Sequence, residues 1–257
     1  MIESITSRKN PLISRLSKLS SKKERDEQQL FRLDGIKLFS EAVKSNIKIE
    51  YIFATAKMLE LIDTGIDAKV FEVTDEVISK LTEEKAPQGI VAFARPFQTL
   101  PFPETLPSSF NALLLSSIQD PGNLGTIIRT AYAFGVDRLF ITPDCADIYS
   151  PKVVRAAMGT LFRQKITVAN DLDTAKKLKE LGGSVYAAAL RESAMVVGNF
   201  KLPQRVCFAV GNEGHGLSDA LINLCTGAVI IPMTPDCESL NAAGAAGILS
   251  WEMRKSK

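Results

Sequence analysis

Asn123, Arg129, Glu213, His215, Ser239 and Asn241 are polar residues of types that suit chemistry, and they fall in three short clusters. Asn123-Leu124-Gly125-Thr126-Ile127-Ile128-Arg129 follows an apolar stretch, Ala112 to Leu115. Gly211-Asn212-Glu213-Gly214-His215-Gly216 follows Val206 to Val210, and Ser239-Leu240-Asn241 comes shortly after Ala228 to Ile231. In an open α/β sheet, ligands gather outside the carboxyl ends of the strands. Three clusters that each follow a strand can therefore converge on one site, and the expected class is an enzyme.

Each cluster has a chemical reading beside a plainer one. The first begins in a Pro121-Gly122 turn, with Asn123 expected as the helix N-cap. Arg129, about one and a half turns on, suits bidentate capture of a phosphate or carboxylate, or is an ordinary surface arginine. Three glycines in six positions at 211–216 can wrap a ligand with backbone N–H groups. The loop fits neither G-x-x-x-x-G-K-[ST] nor a dinucleotide fingerprint, which argues against a nucleoside triphosphate or dinucleotide. Ser239 and Asn241 either cap the last helix or point into a ligand held by the loop before it. His215 is the one histidine, so a multi-histidine metal centre is excluded. Without a G-x-S-x-G elbow, a serine-hydrolase triad has little support.

The elements that must position these residues are legible from periodicity. Strand-like runs at 30–33, 51–54, 70–73 and 90–93 alternate with helices at 36–43 and 58–62, and Thr74 is an N-cap ahead of Asp75 and Glu76. This is the pattern of a small α/β domain, expected over 28–95. Four of the 12 prolines lie within 96–109, read as a stiff linker. In the expected domain 110–257, strands at 112–115, 138–142, 184–189, 206–210 and 228–231 alternate with helices near 124–134, 151–158, 172–181, 219–225 and 239–253. Continuously apolar strands predict a parallel sheet covered on both faces. The Ala/Gly run 242–247 predicts a helix in very close contact with another element or subunit.

Charge is unevenly spread. The 257 residues carry net charge +2, but residues 1–25 hold seven Lys/Arg against two acids. An amphipathic basic arm over 1–27 is expected to meet a polyanion through Arg8, Lys9, Arg15, Lys18, Lys22 and Lys23. A solvated surface helix is the plainer alternative. The four cysteines lack zinc or disulfide spacing and read as reduced thiols. No run of 18 apolar residues crosses a membrane, and no apolar signal core opens the chain. The acid-free, Ser- and Lys/Arg-rich stretch 4–23 also has the composition of an organellar transit peptide.

Taken together, the three clusters, with Ile231-Pro232-Met233 and Glu238, resemble the motifs of the SpoU (TrmH-like) RNA ribose 2′-O-methyltransferases of the SPOUT superfamily. The resemblance covers about 110–254. Residues 28–95 and the basic arm resemble the ribosomal-protein-like RNA-binding part of rRNA-modifying members. It implies a parallel-sheet domain with a deep trefoil knot, a homodimer, and S-adenosylmethionine held near Gly211, Ile231, Met233, Leu240 and Ala188. Arg129, Asn123, Glu213, Ser239 and Asn241 are then catalytic, with Arg129 meeting cofactor bound by the other subunit. No metal or membrane is implied, and the expected compartment is the cytoplasm. The expected substrate is large-subunit (23S) rRNA. A tRNA substrate, or a non-catalytic RNA-binding or ribosome-assembly role on the same fold, are the alternatives.

Overall fold

The computed structural model describes residues 2–256 apart from Glu213, Pro235, Cys237 and Glu238. In chain order the elements begin β1 (Glu3–Ile5), α1 (Pro11–Leu16), α2 (Lys22–Gln28), β2 (Phe31–Asp34), α3 (Gly35–Lys44), β3 (Ile49–Ala54), α4 (Ala56–Leu59), β4 (Lys69–Val73), α5 (Asp75–Leu81) and β5 (Ile90–Ala94). They continue with β6 (Phe110–Leu115), α6 (Pro121–Ala133), β7 (Arg138–Ile141), α7 (Pro151–Ala157), β8 (Ile166–Val168), α8 (Asp171–Glu180), β9 (Ser184–Ala188) and β10 (Met195–Val196). β11 (Arg205–Val210), α9 (Asp219–Leu224), β12 (Gly227–Ile230) and α10 (Ala242–Lys255) complete the chain. It divides into two compact units, Met1–Gln98 with Asp147–Phe162, and Thr99–Ala146 with Arg163–Lys257.

The first unit is built on a mixed five-stranded sheet in the order β1-β4-β3-β5-β2. The residues expected to form an arm are part of its core: Ile13, Leu16 and Leu19 are fully buried against Phe53, Phe71, Val77 and Leu81. The apolar face of α1 has nowhere else to go, and a short helix in water gains its stability from such packing. Arg25 is buried too. Its guanidinium donates to Asp147 Oδ2 at 2.6 and 2.9 Å and to the carbonyls of Leu19 and Ser20. Arg8, Lys9, Arg15, Lys18, Lys22 and Lys23 are all exposed.

The helix expected with the C-terminal sheet at 151–158 belongs to this first unit instead. Ser150 caps α7, and Pro151, Val153, Val154 and Ala157 are buried. Arg155 Nη1 lies 3.0 Å from Asp34 Oδ2, and the Tyr149 and Phe31 rings meet at 5.1 Å. Helical periodicity shows that one face of α7 must be buried, but not against which partner.

The second unit is a seven-stranded sheet in the order β10-β12-β9-β11-β6-β7-β8, parallel at every described pairing. Side chains alternate faces along each strand. Ala112 and Leu114 of β6 pack with Ala175 and Leu178 of α8, while Asn111 Nδ2 donates to the Met253 carbonyl of α10 at 3.2 Å. Layers on both faces explain the unbroken apolar strands. The proline-rich stretch is not a free spacer. Leu100 N–H donates to the Ile166 carbonyl, the Phe102 ring lies 5.1 Å from that of Phe140, and Leu106 is buried.

β8 and β10 are too short to stand out from the sequence. β10 nevertheless matters, because it pairs with β12 while β12 pairs with β9, so Ala188, Val229 and Met195 lie level. The connection 189–194 therefore spans the carboxyl end of β12.

Candidate functional site

The strand order reverses at β6, with β7 and β8 on one side and β11, β9, β12 and β10 on the other. Such a reversal opens a crevice at the carboxyl ends of the strands. The loops after β6, β9, β11 and β12 all leave from that end.

Asp120 caps α6 and Pro121 fills its first turn, where a missing N–H does no harm. Asp120 Oδ1 accepts from Asn123 N–H at 2.7 Å. This corrects the expectation that Asn123 is the cap. An aspartate before Pro121 takes that role, and the Asn123 side chain serves elsewhere. It meets Asn241, whose Nδ2 donates to Asn123 Oδ1 at 2.9 Å. Asn241 is itself the cap of α10, its Oδ1 accepting from Ala243 N–H at 2.9 Å and Gly244 N–H at 3.3 Å. The first and third clusters are thus joined by one amide pair at the starts of two helices.

The middle cluster closes on itself. Gly216 N–H donates to the Asn212 carbonyl, and a Cβ on Gly211 would collide with Gly216 backbone atoms. Only glycine fits there. Asn212 Oδ1 accepts from Gly214 N–H at 2.7 Å and its Nδ2 donates to the Ser117 carbonyl at 2.9 Å. Ser117 has φ +59°, a left-handed conformation rare outside glycine. Its hydroxyl donates to Asp144 Oδ2, and its N–H donates to Thr142 Oγ1 at 2.9 Å. Hydrogen bonds from Ser117 and Thr142 hold the Asp144 carboxyl below the usual carboxylate range.

Between these loops lies a cavity of about 360 Å³. Ala188, Gly211, Ile231, Met233 and Leu240, the five expected cofactor-binding residues, all line it, and so does Ser239. Leu217, Ile222, Val229 and Ala245 give it apolar walls, while Asn212, His215 and Arg191 add polar groups. Arg129 is exposed on α6 and, like Asn123 and Asn241, does not line the cavity. Glu213 lies outside the described residues. Two of the polar lining residues, Arg191 and Asn212, have no role in the sequence-based expectation. Arg191 follows an alanine-rich strand and carries no motif, whereas Asn212, beside Gly211, is visible as a turn former.

The size and lining suit a small molecule with a large apolar part and few polar handles. Among the described residues, no three His, Cys, Asp or Glu side chains come together as metal ligands would.

A family model described as the SpoU rRNA Methylase family matches residues 111–251. The chain belongs to the SpoU rRNA methylase family. A second model, the MRM3-like substrate binding domain, matches residues 10–92. A Bacillus subtilis (strain 168) protein named 23S rRNA (guanosine(2553)-2′-O)-methyltransferase RlmP is 34% identical, over 98% of this chain and 100% of that one. The crystal structure of an AdoMet-bound rRNA methyltransferase from Sinorhizobium meliloti superposes with a TM-score of 0.88 at 30% identity, covering 99% of this chain and 98% of that one. The SpoU methyltransferase AviRb from Streptomyces viridochromogenes, solved with AdoMet, gives a TM-score of 0.84 at 26% identity, with 96% and 98% covered. All three clusters of this SpoU protein lie inside the methylase match, and the strand at Glu3–Ile5 lies outside both matches.

Proposed function

We propose that this SpoU-family protein transfers a methyl group from S-adenosylmethionine to a ribose 2′-hydroxyl of RNA, and that the RNA is 23S rRNA. The observation that carries the reading is the convergence of loops from β9, β11 and β12 on one cavity, with Gly211, Ile231, Met233, Leu240 and Ala188 in its wall. These residues fit the donor: its adenosyl group needs an apolar slot with backbone groups at the edge. The closed turn at Gly211–Gly216 provides such an edge. When bound, S-adenosylmethionine supplies an electrophilic methyl on a sulfonium.

The rest is done by side chains of the chain. The attacking ribose oxygen gains negative charge, so a donor aimed at it lowers the barrier. Arg129 is suited to that task and to gripping the neighbouring phosphate in the same fork. A guanidinium is a fixed cation with five donors and no acceptor, which suits a positioning and electrostatic role instead of that of a base. Asn241 holds Asn123 at the start of the helix that carries Arg129. Ser239 orients the hydroxyl from the cavity wall.

Arg129 does not line the cavity of its own chain, which supports a homodimer in which it serves the partner's donor. The exposed Ile248 and Trp251 of α10 provide an apolar face for that contact. At Gly244 an added Cβ would meet nothing within 4 Å, so packing inside the chain does not require the small residue. A subunit face would. The connection 189–194 across the end of β12 supports a trefoil knot formed by the chain leaving Ile231. The exposed basic residues Arg8 to Lys23 give the first unit a surface for phosphate contacts, and the compartment we infer is the cytoplasm, by likeness to the Bacillus subtilis 23S rRNA methyltransferase.

The test is transfer of labelled methyl to 23S rRNA and, separately, to tRNA, followed by mapping of the 2′-O-methylated nucleotide. Transfer to 23S rRNA that falls by about 10² to 10³ in Arg129→Ala supports the reading. Transfer to tRNA alone, or none to either RNA, overturns it.

A further inference from the structure

We infer that Arg191 holds the α-carboxylate of the methyl donor, making it the residue that selects a ligand with an amino-acid tail. The inference rests on the methyl-donor reading above. Among the described residues lining the cavity, Arg191 is the one arginine or lysine. A carboxylate entering the cavity therefore has this guanidinium as its fixed counter-charge.

The placement suits the task. Arg191 sits in the connection 189–194 between β9 and β10, both strands level with β12, and it lines the cavity together with Ala189 and Leu190. Its present partner is Asp219, in the first turn of α9, which lies outside the cavity wall. Both side chains are largely in water, at 45% and 81% exposure, and an ion pair so exposed contributes little. Such a pair keeps the guanidinium near the mouth without committing all of its donors. Five N–H groups in a planar fork allow Arg191 to take a carboxylate side-on while one edge remains on Asp219. The donor's ammonium, adjacent to its carboxylate, would then face Asp219, so the pair complements a zwitterion.

The experiment is calorimetric binding to the full chain of two ligands that share the adenosine and sulfur. S-adenosylhomocysteine has the amino-acid tail and 5′-methylthioadenosine lacks it. Arg191→Ala is expected to weaken S-adenosylhomocysteine about tenfold, the effect of removing a charge-assisted bond, and to leave 5′-methylthioadenosine within about twofold. Arg191→Lys is expected to recover part of the loss, since it restores charge without the fork. Equal weakening of both ligands, or S-adenosylhomocysteine bound by Arg191→Ala as tightly as by the wild type, overturns the assignment alone. A wild-type protein that binds neither ligand overturns the methyl-donor reading with it.

Discussion

The amide of Asn241 donates from Nδ2 to Oδ1 of Asn123 across 2.9 Å, and through this bond two segments 118 residues apart become one corner of the site. Asn241 Oδ1 is already occupied by the first N–H groups of α10. The residue therefore has a structural half and a positioning half.

Those halves can be separated. Asn241→Asp keeps an acceptor for the helix cap and loses the donor to Asn123, so its melting temperature is expected to stay close to wild type while turnover falls at least tenfold. Asn241→Ala loses both, and should also lose about 1 kcal/mol of stability, as for other N-caps. Thermal melts and single-turnover methyl transfer on the two variants decide this. Equal turnover in Asn241→Asp and wild type would remove the positioning role.

Gly211→Ala should damage the cavity more than the fold. The new methyl would run into Gly216 backbone, which cannot swing aside as a side chain can. Displacing the turn is expected to cost about 1–3 kcal/mol and to reduce S-adenosylhomocysteine affinity by at least tenfold. Denaturant unfolding and calorimetric binding measure the two effects.

Asp144 provides a pH-dependent contribution with a definite sign. Its carboxyl is lowered by hydrogen bonds from Ser117 and Thr142, outweighing the small opposing effect of burial. A depressed folded-state value means the stabilisation is present above about pH 4, the ordinary aspartate value, and fades below it. Melts of Asp144→Asn and wild type should therefore differ at pH 7 and converge as the pH falls toward 3. A constant difference would mean the carboxylate charge is irrelevant to the Ser117 turn.

The basic N-terminal region separates into two kinds of residue. Replacing exposed Arg8, Lys9, Lys18, Lys22 and Lys23 by glutamine should leave the melt unchanged. It should flatten the log–log salt dependence of RNA binding by roughly 0.7–0.9 for each phosphate no longer neutralised. Arg25→Ala should instead leave Asp147 without its partner in a largely buried place and destabilise the first unit by about 3 kcal/mol. Deleting residues 1–25 would remove Ile13, Leu16 and Leu19 from the core, so point charges give the cleaner test.

Much of the fold is legible in the chain. The long strands β6 and β11 stand out as continuous apolar runs, and α10 begins at an asparagine that caps it. Loop residues 211, 231, 233 and 240 stand out through glycine spacing and family resemblance. The short strands β8 and β10 escape because two or three residues carry no periodic signal. Asn123 reads as a cap because its type suits one, although Asp120 stands three residues earlier.

By itself the sequence determined which segments are strands and helices, which of their faces are apolar, and where glycine and asparagine interrupt them. Those properties are local, set by backbone preference and by the period of the side chains. Tertiary structure alone decided that α7 packs with the first unit, that Asn241 reaches Asn123, and that Arg191 lines the cavity. Partner choice depends on which surfaces fit and which strands lie side by side, and a period of 3.6 or 2 says only that a face must be covered, never by what.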